Sequence, residues 1–163
     1  MTGRPTKKTW LALGLFMVGI GLLDQLTKAL VVRYIPYLGT VPLIPGVVHL
    51  TYVKNTGAAF SMFEGMRWLF LALVLVYFAA MGLLIGKGIL RKPAELWSLA
   101  AIGGGALGNA IDRALTGSVT DMIEPTFMNF AVFNVADIFI TCGAIALAVY
   151  LLFFDRDKRE GKK

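Results

Sequence analysis

The chain has little of what most enzyme sites require: one cysteine and one histidine among 163 residues. A single cysteine excludes an intrachain disulfide, and we interpret Cys142, which lies in an apolar stretch, as a small packing residue. His49 has no cysteine partner and no second histidine at helical spacing, so a zinc site is poorly supported. We therefore expect neither a metal nor another cofactor.

The usual motifs of nucleophilic and phosphate chemistry are also missing. No Gly-x-Ser-x-Gly elbow occurs, and no Gly-x-x-x-x-Gly-Lys loop is present. The Gly-x-Gly-Asp pattern of presenilin-like enzymes and the Gly-x-Ser-Gly pattern of rhomboid-type enzymes are absent as well. Any catalysis would therefore depend on carboxylates.

Long apolar runs are abundant, because 57% of the residues are hydrophobic and the mean hydropathy is +0.71. Four stretches, at about residues 10–32, 68–85, 96–115 and 133–154, approach the ~20 apolar residues that cross a bilayer as a helix. We predict an all-α membrane protein with four transmembrane helices, forming a single domain over residues 1–163. Residues 33–67 and 116–132 connect the stretches. In the longer connection "VVHLTYV" predicts a strand of a small β/loop subdomain, and "SMFEGMRW" an interfacial helix.

Positive charge is unevenly distributed along the chain. Three basic residues precede the first stretch, three lie between the second and third, and five follow the fourth. The positive-inside rule then predicts that both termini are cytoplasmic and that both connections face outward. The net charge of +6 is explained by this pattern, so we expect no nucleic acid partner.

Polar residues inside the apolar stretches share helix faces. The first stretch holds Asp24 and Lys28 four residues apart, which is either a local ion pair with Lys28 reaching the interface or part of a site. The third stretch places Gly105, Asn109 and Arg113 on one stripe. We interpret Asp112, the acidic residue of this stretch, as an exposed boundary charge. The glycine run around Gly103 and Gly104 is interpreted as a site of close helix packing.

The fourth stretch begins with Asn134 and Asp137, three residues apart on one face. Neighbouring spans run in opposite directions, so all these groups should lie in the outer half of the bilayer, level with Asn55 and Asp121 of the connections. Asp121 is then either a solvated turn residue or the partner of Asp137. Two adjacent carboxylates share a proton, so one can activate water while the other protonates a leaving group.

Two other classes of function also use buried charges. A small proton-coupled transporter or channel would need polar groups along a whole pathway, whereas the cytoplasmic halves of these stretches are nearly uncharged. A structural membrane subunit would instead pair its charges with partner helices.

Five sequence blocks indicate a known family: "DQLTK", "NTGAAF", "GALGNAIDR", "VTDMI" and "FNVADIFI". In this order, from about Trp10 to Phe154, they resemble the lipoprotein signal peptidase (signal peptidase II) family. The family commonly has an aromatic residue where Met122 stands, and methionine preserves the apolar bulk. The resemblance implies an aspartic endopeptidase that cleaves before the diacylglyceryl-modified cysteine of prolipoproteins, with Asp121 and Asp137 catalytic. It implies supporting or substrate-binding roles for Asp24, Lys28, Asn55, Gly57, Gly105, Asn109, Arg113, Asn134 and Ala136.

The same resemblance carries expectations about surroundings. It implies a multi-pass protein of the bacterial cytoplasmic membrane whose active site lies near the extracytoplasmic face. Its partners are the diacylglyceryl-prolipoprotein substrates and membrane lipids, globomycin-type cyclic peptides are inhibitors, and no obligate protein partner is expected.

Overall fold

Four α-helices and three strands make up the part of the chain that the computed structural model describes, residues 5–57 and 62–154. The helices are α1 (Lys7–Tyr34), α2 (Arg67–Gly86), α3 (Pro93–Thr116) and α4 (Val135–Val149), the last continuing as a π-helical turn, Tyr150–Phe154. The strands are β1 (Thr40–Ile44), β2 (Val48–Asn55) and β3 (Val119–Pro125). Each of the four apolar stretches therefore forms a helix.

Local sequence explains where α3 and α4 begin. Pro93 occupies the first turn of α3, where its missing N–H is no loss, and the Glu95 carboxylate accepts the backbone N–H groups of Arg91 and Lys92. The helix ends at Gly117, whose positive φ of 79° suits a residue without Cβ. Asn134 caps α4 by accepting the backbone N–H of Asp137 at 3.0 Å.

Three of the helices are long and apolar enough to cross a membrane: α1, α2 and α4 with its π-helical turn. They present large apolar side chains that are more than half exposed, such as Leu15, Leu75 and Phe153. The fourth helix, α3, is not one of the three. It contacts each of the other helices and buries Asn109 and Asp112. Because protein surrounds most of α3, its sequence carries polar residues that a lipid-facing helix would not.

Glycines let α3 approach its neighbours closely. A Cβ on Gly104 would lie 2.8 Å from Cβ of Ile20 on α1, and one on Gly103 would lie 3.0 Å from Sδ of Met17. The packing interpretation of these two glycines is therefore confirmed. On the opposite side, Gly105 faces the backbone of α4 at Ala136.

A three-stranded antiparallel sheet, in the order β1-β2-β3, covers one end of the helices. It packs through Met122 against Val31 and Ile35 at the end of α1. The strand expected at "VVHLTYV" is β2, whereas β1 and β3 were not predicted. Pro42 is tolerated because β1 is an edge strand.

The expected interfacial helix is not found where the structure describes that segment. Residues 62–65 form turns, and α2 begins immediately afterwards at Arg67. Residues 58–61 lie outside the described part of the chain.

Candidate active site

A cavity of about 450 Å³ opens where β3, α3 and the start of α4 meet. Its polar lining includes both aspartates that were expected to pair, Asp121 and Asp137, together with Asn55, Asn109 and Asn134. Apolar walls come from residues such as Phe130 and Ile138. The site is therefore a carboxylate-lined pocket in largely apolar surroundings.

Backbone pairing brings Asp121 to this pocket. Asp121 lies opposite Val53 in the β2–β3 ladder and is only 3% exposed, so it is a buried strand residue and not a solvated turn residue. The neighbouring N–H groups of Met122 and Ile123 both donate to the carbonyl of Phe133, at 3.0 and 2.7 Å. Because Phe133 directly precedes the cap of α4, these bonds hold Asp121 beside Asp137.

Asn134 joins the two carboxylates. Its side-chain Nδ2 donates to Oδ1 of Asp121 at 2.6 Å, and its backbone N–H donates to Oδ2 of Asp137 at 3.1 Å. The residue is fully buried, and its Oδ1 is occupied by the capping bond to α4. The separation of the two acids is thus fixed by one side chain and the helix turn that it caps.

Two more amides complete the hydrogen bonding of the carboxylates. Asn55 donates from Nδ2 to Oδ2 of Asp121 at 2.9 Å, and Asn109 donates from Nδ2 to Oδ1 of Asp137 at 2.8 Å. Each aspartate therefore has two amide donors. Such donors stabilise charge on a carboxylate without supplying a counter-charge.

Burial dominates the electrostatics of Asp121. It raises the pKa of this carboxyl from 3.8 to about 6, and the negative charge of Asp137 adds to the increase. The hydrogen bonds from Asn55 and Asn134 and the positive charge of Lys28 act in the opposite direction but are outweighed. Asp121 thus takes up a proton near neutral pH more readily than an exposed aspartate.

Arg113 reaches from α3 towards the longer connection. Its Nη2 donates to the carbonyl of Gly57 at 2.6 Å, and its guanidinium stacks over the ring of Phe70, 4.3 Å from the centroid. Its Nε is buried and has no hydrogen-bond partner within the described part of the chain. Arg113 lines both the cavity and a smaller, mainly apolar groove of about 350 Å³ between α2, α3 and α4.

Asp24 and Lys28 belong to a buried network under the cavity. They form the predicted local ion pair, with Nζ of Lys28 2.7 Å from Oδ2 of Asp24. Lys28 is only 3% exposed and points inward. Its Nζ also reaches Oδ1 of Asn109 at 2.9 Å and Oδ2 of Asp112 at 3.0 Å. Lys28 therefore does not extend to the interface, because three inward-facing oxygens offer it better partners.

The interpretation of Asp112 as an exposed boundary charge is wrong. Asp112 is only 9% exposed, and its Oδ1 accepts Nε2 of Gln25 at 2.9 Å. The sequence analysis did not identify Asp112 or Gln25 as members of the buried polar network around Lys28. A signal was present for Asp112, because it lies three residues after Asn109 and therefore shares its helix face.

Ala136 and Gly105 position the beginning of α4. The backbone N–H of Ala136, which is completely buried, donates to Oδ1 of Asp24 at 2.9 Å. A Cβ on Gly105 would collide with the Ala136 carbonyl oxygen and lie 2.8 Å from Cγ1 of Ile140. Only a glycine lets α3 approach α4 this closely.

Cys142 lines the cavity, whereas His49 lies in the sheet. Cys142 is also exposed, so the packing interpretation of this residue is wrong. His49 pairs with Glu124 in the β2–β3 ladder. Among residues 5–57 and 62–154, no group of three or more His, Cys, Asp or Glu side chains is arranged to hold a metal ion.

The fold and the cavity define a helical membrane protein with a buried carboxylate site beneath a small sheet. Two solved bacterial membrane enzyme structures, determined by the in meso method, share this fold with TM-scores of 0.86 and 0.82 at 27% identity. The first alignment covers 100% of this chain and 96% of the other, and the second covers 94% and 99%.

Sequence comparison identifies the family. The model described as signal peptidase (SPase) II matches residues 16–153. A lipoprotein signal peptidase from Trichormus variabilis is 46% identical over 76% of this chain and 78% of its own length. One from Brevibacillus brevis is 38% identical over 83% of this chain and 91% of its own. The chain belongs to the signal peptidase II family.

Proposed function

We propose that this protein is a lipoprotein signal peptidase of the aspartic type. It hydrolyses the peptide bond that precedes the diacylglyceryl-modified cysteine of a prolipoprotein and releases the signal peptide. The observation that carries the proposal is the bonding of Asn134 to both Asp121 and Asp137 at the wall of one cavity. That contact brings two acids, far apart in sequence, to one site.

Hydrolysis by this pair needs one proton shared between the two carboxyl groups. The ionised aspartate removes a proton from a water molecule as its oxygen attacks the scissile carbonyl carbon. The protonated aspartate donates a hydrogen bond to the carbonyl oxygen and then supplies the proton that the leaving amine requires. The C–N bond breaks, the signal peptide leaves with a new carboxylate, and the lipidated cysteine keeps a free amino group. No metal or covalent intermediate takes part.

The membrane setting follows from the same residues. We propose that α3 is a fourth span, shielded by α1, α2 and α4, and that the chain is one membrane-embedded domain with both termini in the bacterial cytoplasm. Asp137 is the third residue of α4, so it lies only ~3 Å, less than one helical turn, below the start of that helix. The site then faces the outer surface of the cytoplasmic membrane, where a diacylated cysteine is held.

The remaining site residues are proposed to hold the substrate or to position the pair. Arg113 and Gly57, joined by the 2.6 Å bond, are proposed to bind the substrate backbone, and the missing side chain of Gly57 allows close approach. Asn55 and Asn109 orient the carboxylates, whereas Asp24, Lys28, Gly105 and Ala136 fix the helices that carry them. Globomycin-type peptides are proposed to occupy the same cavity, and catalysis is proposed to need no protein partner.

Cleavage by the purified protein tests the proposal. The full chain in lipid vesicles should cut a diacylglyceryl-modified prolipoprotein, and mass spectrometry should find the modified cysteine at the new N-terminus. Asp121→Asn and Asp137→Asn should each abolish cleavage while the protein stays folded. Glu124→Gln is the matched control, because Glu124 lies on the same strand but bonds Thr51 outside the cavity.

Two outcomes would contradict the proposal. Full activity in either aspartate variant would remove the paired-carboxylate mechanism, whereas loss of activity on treatment with EDTA would require a metal. An unmodified precursor should be cleaved poorly, and equal cleavage of both substrates would remove the role assigned to the diacylglyceryl group.

A further inference from the structure

Asp112 is a buried carboxylate that the mechanism above does not use. Its Oδ2 accepts the backbone N–H of Thr120 at 3.0 Å and lies 3.0 Å from Nζ of Lys28, while its Oδ1 accepts Gln25 at 2.9 Å. These partners come from β3 and α1, and Asp112 itself is on α3. One side chain therefore connects three elements that meet beneath the cavity.

We propose that Asp112 is a positioning residue for Asp121. Its carboxylate holds β3 against α1 and α3 so that Asp121, the residue after its Thr120 contact, faces Asp137. The inference deepens the proposed function and rests on it. It gives Asp112 no contact with substrate, because Asp112 lies outside the set of described residues that line the cavity.

The geometry favours positioning over simple support of the helices. Thr120 is held from two sides, by the Asp112 carboxylate on its N–H and by Nζ of Lys54 on its Oγ1 at 3.0 Å. Thr120 is 3% exposed, so water does not replace a lost partner easily. A strand released at this point can move Asp121 relative to α4, and a displacement of ~1 Å can reduce catalysis about 100-fold.

Asp112 also controls the charge beneath the pair. Lys28 contacts both Asp24, at 2.7 Å, and Asp112, at 3.0 Å, so two carboxylates offset its positive charge. Without the charge of Asp112, Asp121 would experience more of the positive potential of Lys28. The other charged groups around Asp121 are Arg113 on α3, Asp137 on α4 and Lys54 on β2. The charges of these groups stay the same when Asp112 is replaced, although Asp112 also interacts electrostatically with Arg113.

Asp112→Asn in the full-length protein tests the inference, with cleavage of the diacylglyceryl-modified substrate measured against pH in lipid vesicles. We expect kcat to fall about 10- to 100-fold while KM stays within about twofold, because the cavity lining is unchanged. The loss of a negative charge lowers the pKa of Asp121. The alkaline limit of activity, where the pair loses its shared proton, should therefore move to lower pH.

Thr116→Val is the matched control. Its hydroxyl donates to the backbone carbonyl of Asp112 at 2.9 Å, so the variant disturbs the same turn and leaves the carboxylate in place. This control should keep the pH profile of the unsubstituted protein. A smaller folded fraction would lower kcat in either variant without moving the pH limit, so kcat is corrected for the folded fraction measured by thermal melts. A corrected kcat that still falls reports positioning, and the pH limit reports the effect of the Asp112 charge on Asp121.

The outcomes also separate this inference from the proposed function. If the unsubstituted protein cleaves and Asp121→Asn does not, the proposed function stands. Asp112→Asn with an unchanged kcat, or with a kcat that falls only in proportion to the folded fraction, then overturns the role of Asp112 alone. An inactive unsubstituted protein overturns both.

Discussion

Replacing Gly105 with alanine tests how closely α3 must approach α4. The added Cβ would collide with the carbonyl oxygen of Ala136 and lie 2.8 Å from Cγ1 of Ile140. The backbone carbonyl cannot rotate away, so α4 must move by on the order of 0.5–1 Å to relieve the overlap. That movement displaces Asp137, the residue after Ala136.

The magnitude follows from two opposing effects. Alanine is favoured over glycine inside a helix by about 1 kcal/mol, whereas overpacking of a well-filled contact costs about 1–3 kcal/mol. The net change in unfolding free energy should therefore be small, between no change and a loss of about 2 kcal/mol. Activity should fall much further, about 10- to 100-fold, because the reacting groups are misplaced.

The assay is cleavage of the lipidated substrate beside a thermal unfolding measurement on the same sample. Gly82→Ala in α2 is the matched control, since a Cβ there meets nothing within 4 Å. It should leave activity unchanged and stability equal or slightly higher. If Gly105→Ala keeps at least half of the activity, the contact between Gly105 and Ala136 does not position Asp137, and the reasoning fails.

Three further predictions concern the cavity. Asn55→Ala removes a donor that stabilises the charged form of Asp121, so the pKa of Asp121 should increase and the alkaline limit of cleavage should move to higher pH; an unmoved or lower limit would contradict this. Burial raises the pKa of Asp121 from 3.8 to about 6, so its contribution to stability is present below pH 4 and lost as pH rises through 6. Asp121→Asn should therefore be inactive. At pH 8 it should be more stable than the unsubstituted protein by on the order of 3 kcal/mol, whereas at pH 4 it should not be more stable. Thermal melts at both pH values test this. Arg113→Lys keeps the charge but loses the planar group that bonds Gly57 and stacks on Phe70, so KM should increase about tenfold, and an unchanged KM would remove the substrate-binding role.

Much of this protein could be predicted from its sequence because lipid imposes simple rules. An apolar run in a bilayer must form a helix, so the four stretches located α1 to α4 within a few residues. Polar residues in such runs are costly, so their presence alone was enough to identify candidate site residues. These were Asp24, Lys28, Asn109, Asn134 and Asp137. Helical spacing then assigned the shared faces correctly.

Other features depended on contacts between distant segments. β1 and β3 have no strong alternation of their own, and they form because β2 offers a ladder on each side. Asp112 was misjudged because its neighbour in sequence is Arg113, whereas its partners in space are Lys28, Gln25 and the Thr120 backbone. The spacing of three residues from Asn109 indicated the helix face of Asp112, but it did not reveal which distant groups that face would meet.

The sequence by itself determined that the chain is a membrane protein, where its helices lie and which residues carry polar chemistry into them, since these follow from local composition and helical period. Only the tertiary structure decided that Asn134 holds both aspartates, that Phe133 ties β3 to α4, and that Asp112 lies beneath the pair. Hydrogen bonds and ion pairs of this kind fall off within a few ångströms, so they exist only after packing has brought the segments together.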